Sequence, residues 1–305
     1  MRPPAGAGKF VDTRRHAILA DDILRAPMSD LYSSMIHRSE LVLGPAAMER
    51  ISRARAAVFG VGGVGSWCAE ALVRTGLRDL TVVDSDIVCP TNLNRQAQAT
   101  ARNLGKSKVE EMRDRLLAIN PDALITARHV PFDETTCGDF GLEGFDYVID
   151  AIDSIKNKVL LLERCVAAGV TVYSSMGAGA RSDPSKIKTG LISDTSGCPL
   201  ARRVRRLLRQ GGVATDIMCV WSDEHPVAPA VETLCGTGAC VCVHDRTSFC
   251  DENAAGAVDW CGMKKQVNGA LVHITAIFGF MLAGLIVSDI AARTASPGDS
   301  LTESQ

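Results

Sequence analysis

Gly60-Val61-Gly62-Gly63-Val64-Gly65-Ser66 lies between an apolar run, AAVFG at 56–60, and a helical pattern, SWCAEALVRT at 66–75. Gly60, Gly62 and Gly65 satisfy GxGxxG, and Gly63 keeps the turn small. Such glycines permit a tight turn and let backbone N–H groups approach a phosphate at the helix N-terminus. Asp84 ends the next apolar run, LTVVD at 80–84, where an acid can hydrogen-bond ribose hydroxyls. These features alone would suit a dinucleotide. The residues that follow argue against hydride transfer: Asp86, then Asn94 and Arg95 within NLNRQ, then Lys108 near a helix start. A triphosphate carries about two more negative charges than a pyrophosphate and needs cations beyond the glycine loop. Arg95 and Lys108 supply them, and Asn94 can hold a phosphate oxygen. Any one of these residues could be a solvated surface group; together they predict an ATP site. Asp150 and Asp153, in YVIDAIDS, end a further strand. Asp153 is the candidate to hold a Mg²⁺ that bridges phosphates. Asp150 suits a loop-bonding or capping role equally well.

These residues must be positioned by alternating strands and helices. ALITARHV (123–130), YVIDAID (147–153) and VTVYSSM (170–176) read as further strands; 106–119 and 155–168 read as helices, the second closed by Gly169. Such alternation predicts an α/β fold, a doubly wound, largely parallel, Rossmann-like sheet. It carries an N-terminal helical arm at 1–44 and a C-terminal crossover or extension. The main domain is expected over 45–290, with its ATP-binding core at 55–180, a crossover segment at 211–268 and a polar tail at 291–305. LARRVRRLLRQ (200–210) is a helix ended by Gly211-Gly212.

The wording GVGGVGSWCAEALVRTG, NLNRQ, INPDA, YVIDAIDS, MGAGARSDPSKIK and TAIFGF resembles the ubiquitin-activating-enzyme-like adenylyltransferases. Within that ThiF/MoeB-type superfamily it is similar to one branch, the tRNA threonylcarbamoyladenosine dehydratases. The likeness is dense over 55–192 and returns at 269–290. It implies an enzyme that uses ATP and Mg²⁺ to cyclise the threonylcarbamoyl group beside a tRNA anticodon, through an acyl-adenylate. A monovalent cation is left open. By the same resemblance Gly62, Asp84, Asn94, Arg95, Lys108 and Asp153 line ATP, Asp86 supports the ribose or an adjacent loop, and the protein forms a homodimer. Arg38, in IHRSELVLG, resembles the superfamily's N-terminal arginine, which reaches a neighbouring subunit's triphosphate. The rival activity is adenylation of the C-terminal carboxylate of a ubiquitin-like or sulfur-carrier protein. A non-catalytic nucleotide-binding scaffold would require loss of the cationic set, and Arg95 and Lys108 are both present.

A tRNA substrate needs a basic face. Arg202, Arg205, Arg206 and Arg209 fall on one side of the 200–210 helix, with Val204, Leu207 and Leu208 facing the core. Five arginines with no acid in eight residues point to phosphate contacts. The 305-residue chain has a formal charge of −2, which excludes a bulk polycation but conceals this face. Residues 223–262 oppose it with seven acids and Arg246 alone among Lys and Arg. Aromatic residues at 5% disfavour single-strand base stacking as the main binding mode.

The 11 cysteines are odd in number and include no CxxC, which excludes a zinc site of paired CxxC knuckles. Cys235, Cys240, Cys242, Cys250 and Cys261 sit where related enzymes carry an acceptor cysteine, but their acidic surroundings do not favour a thiolate, so packing is expected. Reduced thiols suit the cytoplasm. Arg2, Lys9, Arg14 and Arg15 against Asp12 leave a mitochondrial address as the alternative. The apolar run Gly269–Ser288 is long enough to span a bilayer. His273, Thr275 and three glycines (Gly269, Gly279, Gly284) favour a buried core helix over membrane insertion.

Overall fold

The computed structural model describes residues 28–213, 216–231 and 268–293. Seven strands form one sheet: β1 (Arg55–Phe59), β2 (Asp79–Val83), β3 (Leu124–Arg128), β4 (Tyr147–Asp150), β5 (Thr171–Ser175), β6 (Ile187–Leu191) and β7 (Met218–Ser222). Their order is β3-β2-β1-β4-β5-β7-β6, parallel throughout except that β6 runs antiparallel to β7. The strand order reverses direction between β1 and β4, so a crevice opens at their carboxyl ends, where doubly wound sheets take ligands.

The two faces follow from the period-2 pattern of the strands. Ala56 and Val58 face one core layer, with Leu80 and Val82; Ala57 and Phe59 face the other, with Val83 and Val148. The first layer is covered by α2 (Pro45–Arg53), α3 (Gly65–Thr75), α4 (Lys108–Ile119) and α7 (Val272–Ala292). The second is covered by α5 (Ile155–Ala168) and α6 (Pro199–Gln210). Strands buried on both faces must be apolar throughout, which is why β1 and β4 were legible as short unbroken runs.

The first five strands match their sequence reading within a few residues; β6 and β7 do not appear in it. β7 lies between β5 and β6 inside the stretch expected as a crossover from 211, so the sheet continues past the expected core boundary at 180. The physical reason is local: β6 is an edge strand, IKTGL, with its two middle residues Lys188 and Thr189 exposed, and carries little hydrophobic signal. The expected polar tail also begins late, since α7 runs to Ala292.

The arm is α1 (Met28–Leu43), separated from α2 by Gly44 at φ +78°. Tyr32 donates its hydroxyl to Gly76 O (2.7 Å), and the Arg78 guanidinium sits 5.1 Å over the Tyr32 ring. Residues 1–27, 232–267 and 294–305 lie outside the described residues, and with them the basic leader, Cys235, Cys240, Cys242, Cys250, Cys261 and most of the acidic segment and tail. Cys68, Cys165 and Cys219 are buried, and burial pushes each thiol upward, Cys219 to about 12.

α7 has the length and composition of a membrane span, yet half of it is buried in the chain. Ile274, Phe278, Leu282, Ile286 and Ile290, each four residues apart, are buried against the sheet layer. Of the three glycines expected to allow close packing, Gly279 does so: a Cβ there would lie 2.5 Å from Val64 O and 2.9 Å from Cys68 N. Gly284 faces open space, and Gly269 precedes the helix.

One polar contact is buried at the carboxyl edge. Asp150 and Lys158 are both fully inaccessible and pair at 2.6 Å. Lys158 Nζ also donates to Ser175 O (2.9 Å), and Asp150 accepts from Ser174 Oγ (2.6 Å) and from Ile152 N (3.1 Å). Asp150 is therefore a loop-bonding residue. Removing one member strands a buried charge, at a cost of about 3–5 kcal/mol. Lys158→Met should lower unfolding stability by about that amount, read from urea denaturation midpoints; a midpoint equal to wild type would show that the pair anchors nothing.

Candidate nucleotide site

The glycine loop leaves β1 at Gly60, whose φ of +89° and close approach to Ala151 O (a Cβ would sit 2.7 Å away) require glycine. Gly65 opens α3 so tightly that a Cβ would lie 1.8 Å from Gly60 O. Around a Cβ at Gly62 the nearest atom is Gln96 Nε2 at 4.0 Å, so the backbone there is open to a ligand.

Asp84 fixes the loop from below. Its Oδ2 accepts from Val61 N (2.8 Å) and its Oδ1 from Asp86 N (2.8 Å). Each oxygen keeps a further lone pair, so a ribose hydroxyl can still bond it. Burial raises its carboxyl above the usual value, opposed by the charge of Lys108 and reinforced by Asp86. The segment 91–98 fixes the loop from above: Gln98 Nε2 donates to Val61 O (2.8 Å), Trp67 Nε1 to Arg95 O (2.9 Å), and Ala97 N to Ser66 Oγ (3.1 Å). Sequence reading missed these three pins. Only their adjacence to the glycine and NLNRQ motifs hinted at them.

Three charged groups converge here. Lys108, 5% exposed at the first turn of α4, pairs with Asp86 Oδ2 at 2.7 Å. Burial would lower its pKa, but Asp84, Asp86 and Asp153 outweigh it, so the ammonium is held above its ordinary value. Arg95 donates Nη1 to Thr91 O (2.7 Å) and to Asn94 Oδ1 (2.9 Å), which leaves the rest of its guanidinium for a ligand. Its pKa is lowered by burial, against the charges of Cys89 and Asp153. Asp153 is exposed, and its charge acts on both cations.

α7 closes the site from the side: a Cβ at Gly63 would meet Thr275 Cβ at 3.2 Å and Arg95 Cδ at 3.3 Å, and Asn94 Nδ2 donates to Ala270 O (2.9 Å). Asn94 is thus tied to the wall of the site, and its amide is not free to turn toward a phosphate without breaking that bond. The arrangement fits a polyphosphate nucleotide, with an open glycine backbone, two buried or half-buried cations and a ribose-side acid. For Mg²⁺ the fit rests on Asp153, since among the described residues no group of three or more His, Cys, Asp or Glu could hold a metal. One carboxylate suffices for a Mg²⁺ shared with phosphates.

Two other candidates lie apart from this cluster. Arg38 is exposed on α1. On α6, Arg202, Arg206 and Arg209 are exposed, and Val204 and Leu208 are buried as expected. Arg205, half-buried beside them and lining the same surface concavity, also spends one nitrogen on the chain: its Nη1 bonds Thr195 O (2.8 Å), Thr195 Oγ1 (2.9 Å), Ile192 O (3.3 Å) and Ser193 O (3.3 Å). The chain after β6 presents the carbonyls of Ile192, Ser193 and Thr195, which capture it.

The geometry at Gly65 yields a test. Gly65→Ala must displace the Gly60 carbonyl and with it the loop. ATP binding, read by calorimetry, should fall at least about tenfold with the far-ultraviolet circular dichroism unchanged; wild-type affinity would remove the loop from the site.

The pattern of the ThiF family matches residues 32–296. The tRNA threonylcarbamoyladenosine dehydratase of Bacillus subtilis is 39% identical over 196 residues, 63% of this chain and 77% of the relative. That of Escherichia coli is 32% identical over 278 residues, 89% of this chain and 98% of the relative. The crystal structure of the E. coli enzyme, TcdA, in complex with ATP superposes with a TM-score of 0.73 at 30% identity, covering 90% of this chain and all of that one. With the match spanning most of its length, the chain belongs to the ThiF family.

Proposed function

We propose that the protein is an ATP-dependent tRNA N6-threonylcarbamoyladenosine dehydratase that works as a homodimer in the cytoplasm. The observation that carries this reading is the crevice in which Arg95, Lys108 and Asp153 converge beside an open glycine loop, in a chain whose full-length relatives are dehydratases. The exposed arginines of α6 support a polyanionic substrate, and the buried thiols that form no disulfide among the described residues support a reducing compartment.

In the reaction the threonyl carboxylate attacks the α-phosphorus of ATP. A carboxylate O–P bond forms and pyrophosphate leaves. Arg95 and Lys108 balance the charge that moves onto the departing oxygens, a stabilisation that is strongest where water is excluded. Asp84 orients the ribose, and the pins at Gln98 and Trp67 keep the loop in place. A nitrogen of the modification then attacks the activated acyl carbon, loses its proton, and AMP departs with the former carboxylate oxygen. The nucleoside has lost one water. Mg²⁺, when bound, supplies neutralisation of the phosphates, with Asp153 as the residue to hold it; a monovalent cation is an additional candidate.

Adenylation of a carrier protein is the second reading, since the same crevice can activate any carboxylate. Incubation with ATP, Mg²⁺ and threonylcarbamoylated tRNA, followed by digestion and mass spectrometry, should give a nucleoside lighter by one water. Absence of that loss alongside adenylation of a carrier protein would favour the second reading. Arg95→Ala should reduce turnover by about 10²–10³-fold in the same assay with ATP-independent folding retained; wild-type rates would remove Arg95 from the chemistry.

Reversing charge on α6 gives the matching test of the substrate. Arg202→Glu with Arg206→Glu and Arg209→Glu should weaken tRNA binding at least about tenfold, lower its salt dependence and leave ATP affinity unchanged. Equal tRNA affinity would dismiss this face. Arg205 is excluded from the set because it holds the 192–195 turn.

A further inference from the structure

Arg181 follows β5 in the loop MGAGARSD, at the same carboxyl edge as the nucleotide crevice. It is 3% exposed, and its Nε and Nη1 find no hydrogen-bond partner. Two buried guanidinium nitrogens without hydrogen-bond partners are costly, because their desolvation is not repaid. The neighbouring acid does not repay it. Glu224 is spent on the Ser182 and Asp183 amides (3.1 and 3.0 Å) and on Ser182 Oγ (3.1 Å), and the charge of Arg181 reaches it only as a minor influence.

The backbone on either side is held firmly. Ala180 sits at φ +56°, alone among the described non-glycine residues in the left-handed region. Its N–H donates to Gly269 O (2.7 Å), and its carbonyl accepts from Val227 N (2.9 Å). Ser182 O bonds the His273 ring at 3.2 Å. Strained backbone at a functional loop persists only when its surroundings over-determine it. Here they fix the chain and leave the cation unspent.

The segment 268–275 connects this loop to the nucleotide site. Gly269 bonds Ala180, Ala270 bonds Asn94, and Thr275 packs beside Gly63 and Arg95. The phosphates already have Arg95, Lys108 and the glycine loop. Among the groups that react, the anion still without a partner is the carboxylate to be activated, and a guanidinium matches a carboxylate in shape and in hydrogen bonding. We infer that Arg181 binds the threonyl carboxylate of the substrate and holds it for attack on ATP. This rests on the dehydratase reading above.

The test uses the full chain with Arg181→Gln and Arg181→Lys. Wild type should bind N6-threonylcarbamoyladenosine nucleoside more tightly than its methyl ester, and threonylcarbamoylated tRNA more tightly than the same tRNA unmodified. Arg181→Gln should lose both preferences and raise the KM for modified tRNA at least about tenfold, with ATP affinity unchanged. Arg181→Lys should keep part of the preference. Because the variant removes an unpaired buried charge, its melting temperature should hold or rise. Retained discrimination between acid and ester would overturn the inference. So would equal weakening of modified and unmodified tRNA, which would mark a backbone-phosphate contact, or a melting temperature several degrees lower in both variants, which would mark a structural residue. If wild type itself dehydrates no tRNA yet prefers acid to ester, the dehydratase reading fails and the carboxylate site stands.

Discussion

The fully buried pair of Asp150 and Lys158 is the contact on which the carboxyl edge depends. It joins the end of β4, the first turn of α5 and the end of β5, three elements that otherwise meet only through sheet and helix packing. Four hydrogen bonds hold the two charges, two from the ammonium and three to the carboxylate with one shared, so that the buried pair fixes geometry at this edge. Asp153 lies in the link between the two partners, and the Arg181 loop begins where β5 leaves the pair. The nucleotide side and the acceptor side of the crevice are therefore referred to one internal fixed point.

Around that point the charges are arranged in advance of any ligand. Lys108 is held by Asp86 and feels Asp84 and Asp153; Arg95 is steadied by the Thr91 carbonyl and Asn94. Each cation has enough neighbours to remain charged and in place while partly buried. A polyphosphate meets donors already oriented, so little reorganisation accompanies binding, the circumstance in which electrostatic stabilisation of a transition state is greatest. Arg181 is the exception to this balance, a buried cation whose Nε and Nη1 have no hydrogen-bond partner.

The alternation of strands and helices around the glycine loop was legible because it rests on local signals: glycines before a helix, an acid at a strand end, apolar runs of five residues. β6 was not, since an edge strand with exposed Lys188 and Thr189 lacks the periodicity that reveals buried strands; β7, MCVWS, is a buried apolar run that went unread because the stretch around it is irregular. Arg205 carries a set of bonds that helical spacing alone does not show. Helical spacing places it with Arg202, Arg206 and Arg209, but the carbonyls of 192–195 that capture it come from a different element. Arg181 drew no notice at all, because a buried arginine differs from an exposed one only in what surrounds it.

The contact of Gly279 with Val64 and Cys68 joins residues more than 200 positions apart in the chain. The glycine loop follows the first strand, and the helix that walls it comes after all seven strands. Long-range contacts of this kind are slow to form because chain closure must precede their reward. A chain in which α7 has not yet docked therefore carries its phosphate loop unbuttressed, and the nucleotide crevice is complete only once that long-range contact has formed.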